Sequence, residues 1–325
     1  VSDGRTSDPG AALGDYDALF HGFAACRIER DVVVVQGPDA TTYLQGQASQ
    51  DVAALAIGGS AQTLLLEPDG KVDVLCRITR TGEHAYVLDT DPGFGPVLSA
   101  RLGRFKLRAK FEVSARSFDC VALRGADVPD PSALRRLGGW TLEQKDPGLP
   151  EGPLVLTVDD GAWRGADVLG PSPLALPAGA RDVAPEVFEA ARVEVGIPRM
   201  GAEITEKSIP AEAHLVDTAV SFTKGCYTGQ ELVARLDARG SKVARRLCGL
   251  VLADERPLGS LVGAELRSDE GKVVGSVTSA ALSPVHGTVA QCYLHRSMAV
   301  PVTVMVEPTD GSDAVRARAS DFPLF

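Results

Sequence analysis

Along the first third of the chain, aliphatic and β-branched runs alternate with short polar breaks. Val32-Val33-Val34-Val35 reads as a buried strand by its β-branched content. Gly37-Pro38-Asp39 then opens a short helix through Tyr43 and Leu44, with proline near its first turn. The run Leu64-Leu65-Leu66 and the alternation Val72, Val74, Cys76, Ile78 predict a hairpin. Between them, Glu67-Pro68-Asp69-Gly70 has proline and glycine where a tight turn wants them. Tyr86-Val87-Leu88 predicts another strand, and Val97, Leu98, Leu102 and Phe105 share one helical stripe. One α+β unit is therefore expected over about the first 115 residues.

Strands are expected near Val121 and over Leu154–Val158, flanking a proline- and glycine-rich surface loop from Pro171 to Gly179. A helix follows, with Pro185 near its start, Phe188, Ala191 and Val195 on one side, and Gly196 as its C-terminal cap. After Gly240 short strands alternate with turns such as Asp269-Glu270-Gly271: Leu247–Leu252, Val273–Thr278, Val289–Leu294 and Val302–Val306. That spacing predicts a small β-barrel or sandwich.

The 325 residues suffice for two or three domains, and 44% hydrophobic with 23% charged residues is an ordinary globular composition. No uninterrupted apolar stretch reaches membrane-spanning length, so no membrane association is expected. The polar N-terminus lacks the basic start and apolar middle of a secretory signal; residues 1–13 are expected to fray, and the location to be cytoplasmic. A net charge of −10 argues against nonspecific nucleic-acid binding, which rests on neutralising phosphates. A local basic pocket for a small polyanion is compatible with it, since arginines cluster, as at Arg245-Arg246.

Six cysteines occur, none closer than 22 residues to another, so there is no CxxC clamp. Most sit in apolar, strand-like surroundings and read as small buried hydrophobes. Cys226 differs. It lies in Lys224-Gly225-Cys226-Tyr227-Thr228-Gly229-Gln230-Glu231, where two glycines let the backbone turn tightly and approach a ligand. A helix is expected from there to near Gly240, with Thr228 as N-cap and Arg235 and Arg239 late in it. A helix N-terminus and Lys224 two residues away both favour thiolate over thiol. Spacing alone leaves two readings, a reactive, partly exposed thiol or a structural cysteine in a glycine-rich turn. The five histidines are scattered singly, without metal-binding spacing, and no glycine-rich phosphate loop is present. His214, ten residues before Lys224, is a further candidate for the same site.

The octet resembles the signature of the YgfZ/GcvT-like folate-binding family, relatives of the glycine-cleavage T-protein. Weaker blocks extend the resemblance over nearly the whole chain: Gly37–Ala40 with Tyr43–Gln47 and Asp51, Phe105–Lys110, Arg192–Pro198, and Val277–Ser279 with Ser283-Pro284. The resemblance implies an α+β fold of three subdomains around a central folate cavity. Residues 14–242 would form the folate-binding body of two interleaved α+β subdomains, and 243–325 the barrel. It implies tetrahydrofolate, or a derivative, as cofactor, with Glu194 at the pterin and Tyr227, Gln230 and Arg192 as further contacts. A carboxylate suits a pterin because it accepts hydrogen bonds from the amino group and ring N–H together. Arg192 is alternatively a structural partner, since residues two apart on a helix point to different sides.

The chain also departs from the T-protein. The aspartate pair expected on the strand after Gly70 falls on Val74 and Leu75. Asp73 shares a face with Leu75 but sits roughly 6–7 Å along the strand, beyond the reach of about 3 Å a general acid needs. A true aminomethyltransferase is therefore not expected, and whether the chain is an enzyme stays open. The resemblance implies a folate-binding protein that supports iron–sulfur assembly or client proteins, including tRNA-modifying ones. There Cys226 and Lys224 would be the functional pair. A lone thiol cannot hold a cubane cluster, so Cys226 would act as a redox or sulfur-handling group or a transient ligand. The alternatives are a folate-dependent one-carbon transferase and a non-catalytic folate-binding module.

Overall fold

Two five-stranded sheets and a closed barrel divide the apolar residues among them in the computed structural model, which describes residues 9–138, 149, 152–238, 240 and 242–325. Residues 1–8 of the segment expected to fray, and Arg239, lie outside the described residues. The chain starts with α1 (Pro9–His21), β1 (Ala24–Ile28), β2 (Asp31–Gln36), α2 (Ala40–Gln47), β3 (Ser60–Leu66) and β4 (Val72–Gly82). Then come β5 (Ala85–Thr90), α3 (Gly95–Arg104), β6 (Glu112–Arg116), β7 (Phe118–Arg124) and α4 (Pro131–Gly138). β8 (Leu154–Asp160), β9 (Trp163–Pro171), β10 (Arg181–Asp182) and α5 (Pro185–Val195) follow. After a 3-10 turn at Pro210–Ala213 come α6 (Val216–Ala219) and α7 (Gln230–Asp237). The C-terminal unit comprises β11 (Arg245–Leu252), α8 (Leu258–Leu261), β12 (Glu265–Arg267), β13 (Val273–Ser283), β14 (Gly287–His295), β15 (Val302–Glu307) and β16 (Val315–Ser320).

The first sheet has the order β3-β4-β5-β2-β6, and the expected hairpin is present with Leu65 opposite Val74. The second is β10-β1-β7-β9-β8. The single α+β unit expected over the first 115 residues is corrected here. α1 packs on the second sheet and β1 lies in it, pairing with β7 and β10, before the chain enters the first sheet. β1 is short and its partners are remote in sequence, so no local pattern announced the exchange. The segment 1–13 is corrected as well, since α1 begins at Pro9 and buries Leu19 against Trp163. The third unit closes as β11-β14-β13-β12-β15-β16, a barrel rather than a sandwich. Among the described residues no helix is long and apolar enough to cross a membrane.

Burial explains the valine run in β2. Val33 and Val35 pack with Leu44, Leu98 and Leu102 under α2 and α3. Val32 and Val34 face the other way, with Cys120, Leu156 and Leu169 of the second sheet. A strand covered on both faces loses its alternation and becomes continuously apolar. In α3 the predicted stripe is half right: Leu98 and Leu102 are buried, while Val97 and Phe105 stay exposed.

Beside this apolar seam the sheets are joined by charge. Arg77 on β4 reaches Asp89 on β5 (Nε–Oδ1 3.0 Å) and Asp167 on β9 (Nη1–Oδ2 2.7 Å). Arg124 on β7 binds the other Asp167 oxygen at 2.8 Å, and Arg30 binds Asp89 at 2.9 Å and Asp91 at 2.6 Å. Burial alone would raise the Asp167 pKa, but the Arg124 and Arg77 guanidiniums outweigh it and hold the carboxyl well below the usual carboxylate range.

Asp167→Asn is expected to destabilise the fold by about 3–5 kcal/mol, because Arg124 is left buried without its carboxylate. A group whose folded pKa is lowered stabilises above its unfolded value and loses that contribution as pH falls through the folded one. The gap between wild type and variant, measured by urea unfolding, should therefore hold from neutral pH down to the ordinary carboxylate range and narrow only below it.

Candidate functional site

Where the three units meet they enclose a cavity of about 1370 Å³. Small-molecule pockets typically measure about 300–1,000 Å³, so the space is ample for a drug-sized ligand. The first sheet contributes Gln62, Leu75 and Arg77, the second Arg124 and Asp160, and the β1–β2 connection Arg30. α5 adds Phe188, Glu189 and Arg192, and the β13–β14 corner adds Leu282 and Pro284. Trp163 and Phe188 pack with ring centroids 4.7 Å apart, and the Arg124 guanidinium lies 5.1 Å from the Trp163 ring. Both rings are buried, so the fixed charges of this wall rest on aromatic packing.

Cys26 and Cys76 also line this cavity. Burial pushes both thiols up to about 12, so they are protonated and inert near neutral pH. Cys226 is the exposed cysteine; the other five are buried.

The loop carrying Cys226 is held by Lys224. Its Nζ donates to the carbonyl oxygens of Gln45 (2.6 Å), Ala48 (2.6 Å) and Gln50 (3.0 Å), closing the C-terminus of α2. An ammonium has three N–H donors, and all three are used. No donor is left for the Cys226 sulfur, so Lys224 acts on that loop through its position rather than through a hydrogen bond to the thiol. Burial lowers the Lys224 pKa to about 8. The helix cap also differs from expectation. Gly229, not Thr228, is the N-cap of α7, at φ +81°, and a Cβ there would stand 2.4 Å from Glu67 O. Only glycine lets this loop seat on the β3–β4 turn. α7 ends at Asp237, a turn short of the expected Gly240.

The remaining expected contacts are dispersed. Tyr227 is buried among Leu64, Leu66, Leu75 and Val233, and burial pushes its hydroxyl up to about 12. Gln230 Oε1 accepts the Tyr227 N–H (3.2 Å) and so braces the loop. Neither lines the cavity, nor do Lys224 and Cys226. The apolar cluster running from Tyr227 to Leu75 separates the thiol loop from the cavity wall. Glu194 is fully buried: the Tyr16 hydroxyl donates to its Oε2, its Oε1 has no hydrogen-bond partner, and it does not reach the cavity. α1 covers it through Tyr16. Arg192 does line the cavity, and fulfils the structural alternative as well. It binds Glu189 (2.9 Å), Glu203 (3.3 Å), the Ile197 carbonyl and Ser279 of the barrel (3.1 Å). His214 donates to Leu247 O (3.0 Å) and stays outside the cavity. Val74 and Leu75 are buried, and Asp73 pairs with Arg101 (3.1 Å) rather than facing the cavity.

Glu189 and Asp160 are cavity carboxylates that sequence reasoning missed. Glu189 carried a usable signal, since three-residue spacing puts it on the face of α5 that Arg192 occupies. Asp160 at a hairpin tip carried none.

Residues 245–325 match the family described as the glycine cleavage T-protein C-terminal barrel domain. An iron-sulfur cluster assembly factor IBA57 homolog, mitochondrial, from Pyricularia oryzae is 30% identical over 240 residues, 72% of this chain and 58% of that protein. A tRNA-modifying protein YgfZ from Edwardsiella ictaluri is 29% identical over 220 residues, 64% of each chain. This chain thus spans less than two thirds of either relative's length. The glycine cleavage system aminomethyltransferase T from Bartonella henselae has a similar structure, with a TM-score of 0.78 over 97% of this chain and 89% of that one. At 21% identity that likeness establishes the fold.

Lys224→Met should cost about 1–3 kcal/mol, because it strips three carbonyls of their donor. Lys224→Arg should not restore the stability, since a planar fork does not converge on acceptors grouped around one point. Urea unfolding of both variants checks this.

Proposed function

The chain belongs to the YgfZ/GcvT-like family, and we propose that it binds tetrahydrofolate or a derivative and supports the assembly or repair of iron–sulfur clusters in client enzymes, tRNA-modifying ones among them. The observation that carries this reading is the separation of two features: an exposed thiol outside, and a large mixed-polarity cavity inside. A thiol on the outer surface meets another macromolecule more readily than a ligand enclosed in the cavity. Cys226 then contributes one thiolate to a cluster whose remaining ligands come from the client or from small thiols. Lys224 positions it, by fixing the loop to α2.

The cavity fits folate chemically. Its volume admits a folate-sized molecule, and Arg27 and Arg199, both on the wall with exposed surface, suit anionic glutamyl carboxylates. When bound, tetrahydrofolate supplies a reduced ring that can carry one-carbon units. A one-carbon transferase is the weaker reading, because Leu75 occupies the wall where the T-protein relatives are expected to place their acid. Asp73 is engaged by Arg101 instead.

Cys226→Ser should fold and bind tetrahydrofolate as the wild type does, yet leave cluster-dependent enzymes no more active than when the protein is omitted. Reconstitution of such an enzyme in an extract depleted of this protein is the measurement. Wild-type support from the serine variant would end the proposal.

A further inference from the structure

Beside the exposed thiol stands a basic segment that the cavity does not use. Residues 101–110 hold five arginines or lysines and no carboxylate, in a chain of net charge −10. The segment runs from the last turn of α3 into the loop before β6. Arg101 donates to Gln47 Oε1 at the end of α2 (2.8 Å) and to Leu66 O (3.0 Å), and Arg104 lies 3.8 Å from Glu67. The Cys226 loop rests on the same residues. Gly229 packs against Leu66 and Glu67, and the Thr228 N–H donates to Gly46 O (3.2 Å). The end of α2 and the β3–β4 turn therefore seat the thiol loop and the basic segment side by side.

At the crest of this segment Leu107 is 94% exposed, and its backbone stands at φ +42°. A bulky L-residue is disfavoured there, where glycine or asparagine is the usual occupant. The turn is pinned on both sides. Ala109 N–H donates to Lys106 O (2.8 Å), Lys110 N–H donates to Asp39 Oδ2 (2.7 Å), and the Arg101 guanidinium lies 4.5 Å over the Phe105 ring. Neighbouring carboxylates are held elsewhere, Asp73 by Arg101 and Asp69 by Lys71. Among the described residues no ion pair engages Lys106, Arg108 or Lys110. A strained turn that holds an apolar side chain in water gains the fold nothing, and such strain marks functional contacts.

We propose that Leu107, set among Arg104, Lys106, Arg108 and Lys110, anchors a docking surface for a client protein that presents an apolar recess bordered by carboxylates. The same contact brings that protein to Cys226. This rests on the reading of Cys226 above and names the chemistry of the partner it meets. A standard interface covers about 800 Å² on each partner, enough to take the crest and the thiol loop seated beside it. An apolar centre inside a charged rim is the usual anatomy of such a contact. Nucleic acid fits less well, because phosphates would engage the cations and leave Leu107 nothing to bury against.

The test is reactivation of a purified cluster-dependent tRNA-modifying enzyme in an extract depleted of this protein. Wild type, Leu107→Asn, Lys106→Glu combined with Arg108→Glu, and the barrel-surface control Lys272→Glu are each added over a range of concentrations. Leu107→Asn should raise the unfolding midpoint, since asparagine accepts the left-handed region, yet need roughly 10-fold more protein for half-maximal activation. The charge-reversed variant should also need more, by a margin that narrows as salt is added. Both should reach the wild-type plateau, because Cys226 is intact, and Lys272→Glu should match wild type throughout. Activation by Leu107→Asn at the wild-type concentration, or a lowered plateau at an unchanged half-maximal concentration, overturns the docking surface and leaves the Cys226 reading standing. A lower unfolding midpoint for Leu107→Asn makes Leu107 structural and overturns it as well. Should the charge-reversed variant unfold, Leu107→Asn decides alone. Weaker binding of bulk tRNA or of phosphatidylglycerol vesicles by Leu107→Asn, with activation unchanged, assigns the surface to nucleic acid or lipid and sinks the protein partner. If the wild type restores no activity, both readings fall.

Discussion

Two aspartates at the seam between the sheets, Asp89 and Asp167, hold Arg30, Arg77 and Arg124 in one buried network. The central cavity depends on that charge. An apolar seam is free to close, as it does where Val32 and Val34 meet Leu156 and Leu169. Guanidiniums and carboxylates instead demand fixed partners at fixed distances, and a buried ion that loses its partner carries a penalty of several kcal/mol. The network therefore ties β4 and β5 to β7 and β9 without filling the space beside them.

α5 links this two-sheet body to the barrel, and its faces do different work. Arg192 joins Glu189, the loop carbonyl of Ile197, Glu203 and Ser279, so the helix, the following loop and the barrel share one guanidinium. Glu194 lies two residues on and faces α1, where Tyr16 closes over it. Gly196 ends the helix in the left-handed conformation at φ +89°, which turns the chain toward that loop. The cavity and the Cys226 loop are consequently separate features of this fold. The apolar cluster around Tyr227 lies between the thiol loop and the cavity wall.

Much was legible before any coordinates. The hairpin around Pro68-Asp69-Gly70, the buried valine strand, α5 with its glycine cap and the strand-rich C-terminal unit all follow from local pattern, and the structure contains them. So does the contrast between Cys226, in a glycine-rich polar turn, and five cysteines in apolar strands. These features depend on neighbours a few residues away, and a single chain displays those directly.

The amino-acid order by itself determined which segments become strands or helices, which thiol stays in water and which family the chain resembles. Tertiary structure alone decided the exchange of β1 into the second sheet, the sealing of Glu194 by Tyr16, and the use of all three Lys224 donors on carbonyls at and just beyond the end of α2. The physical reason is range. Turn chemistry and hydrophobic period act within a few residues, whereas hydrogen-bond partners such as Tyr16 and Glu194 stand 178 positions apart and meet only when the chain has packed.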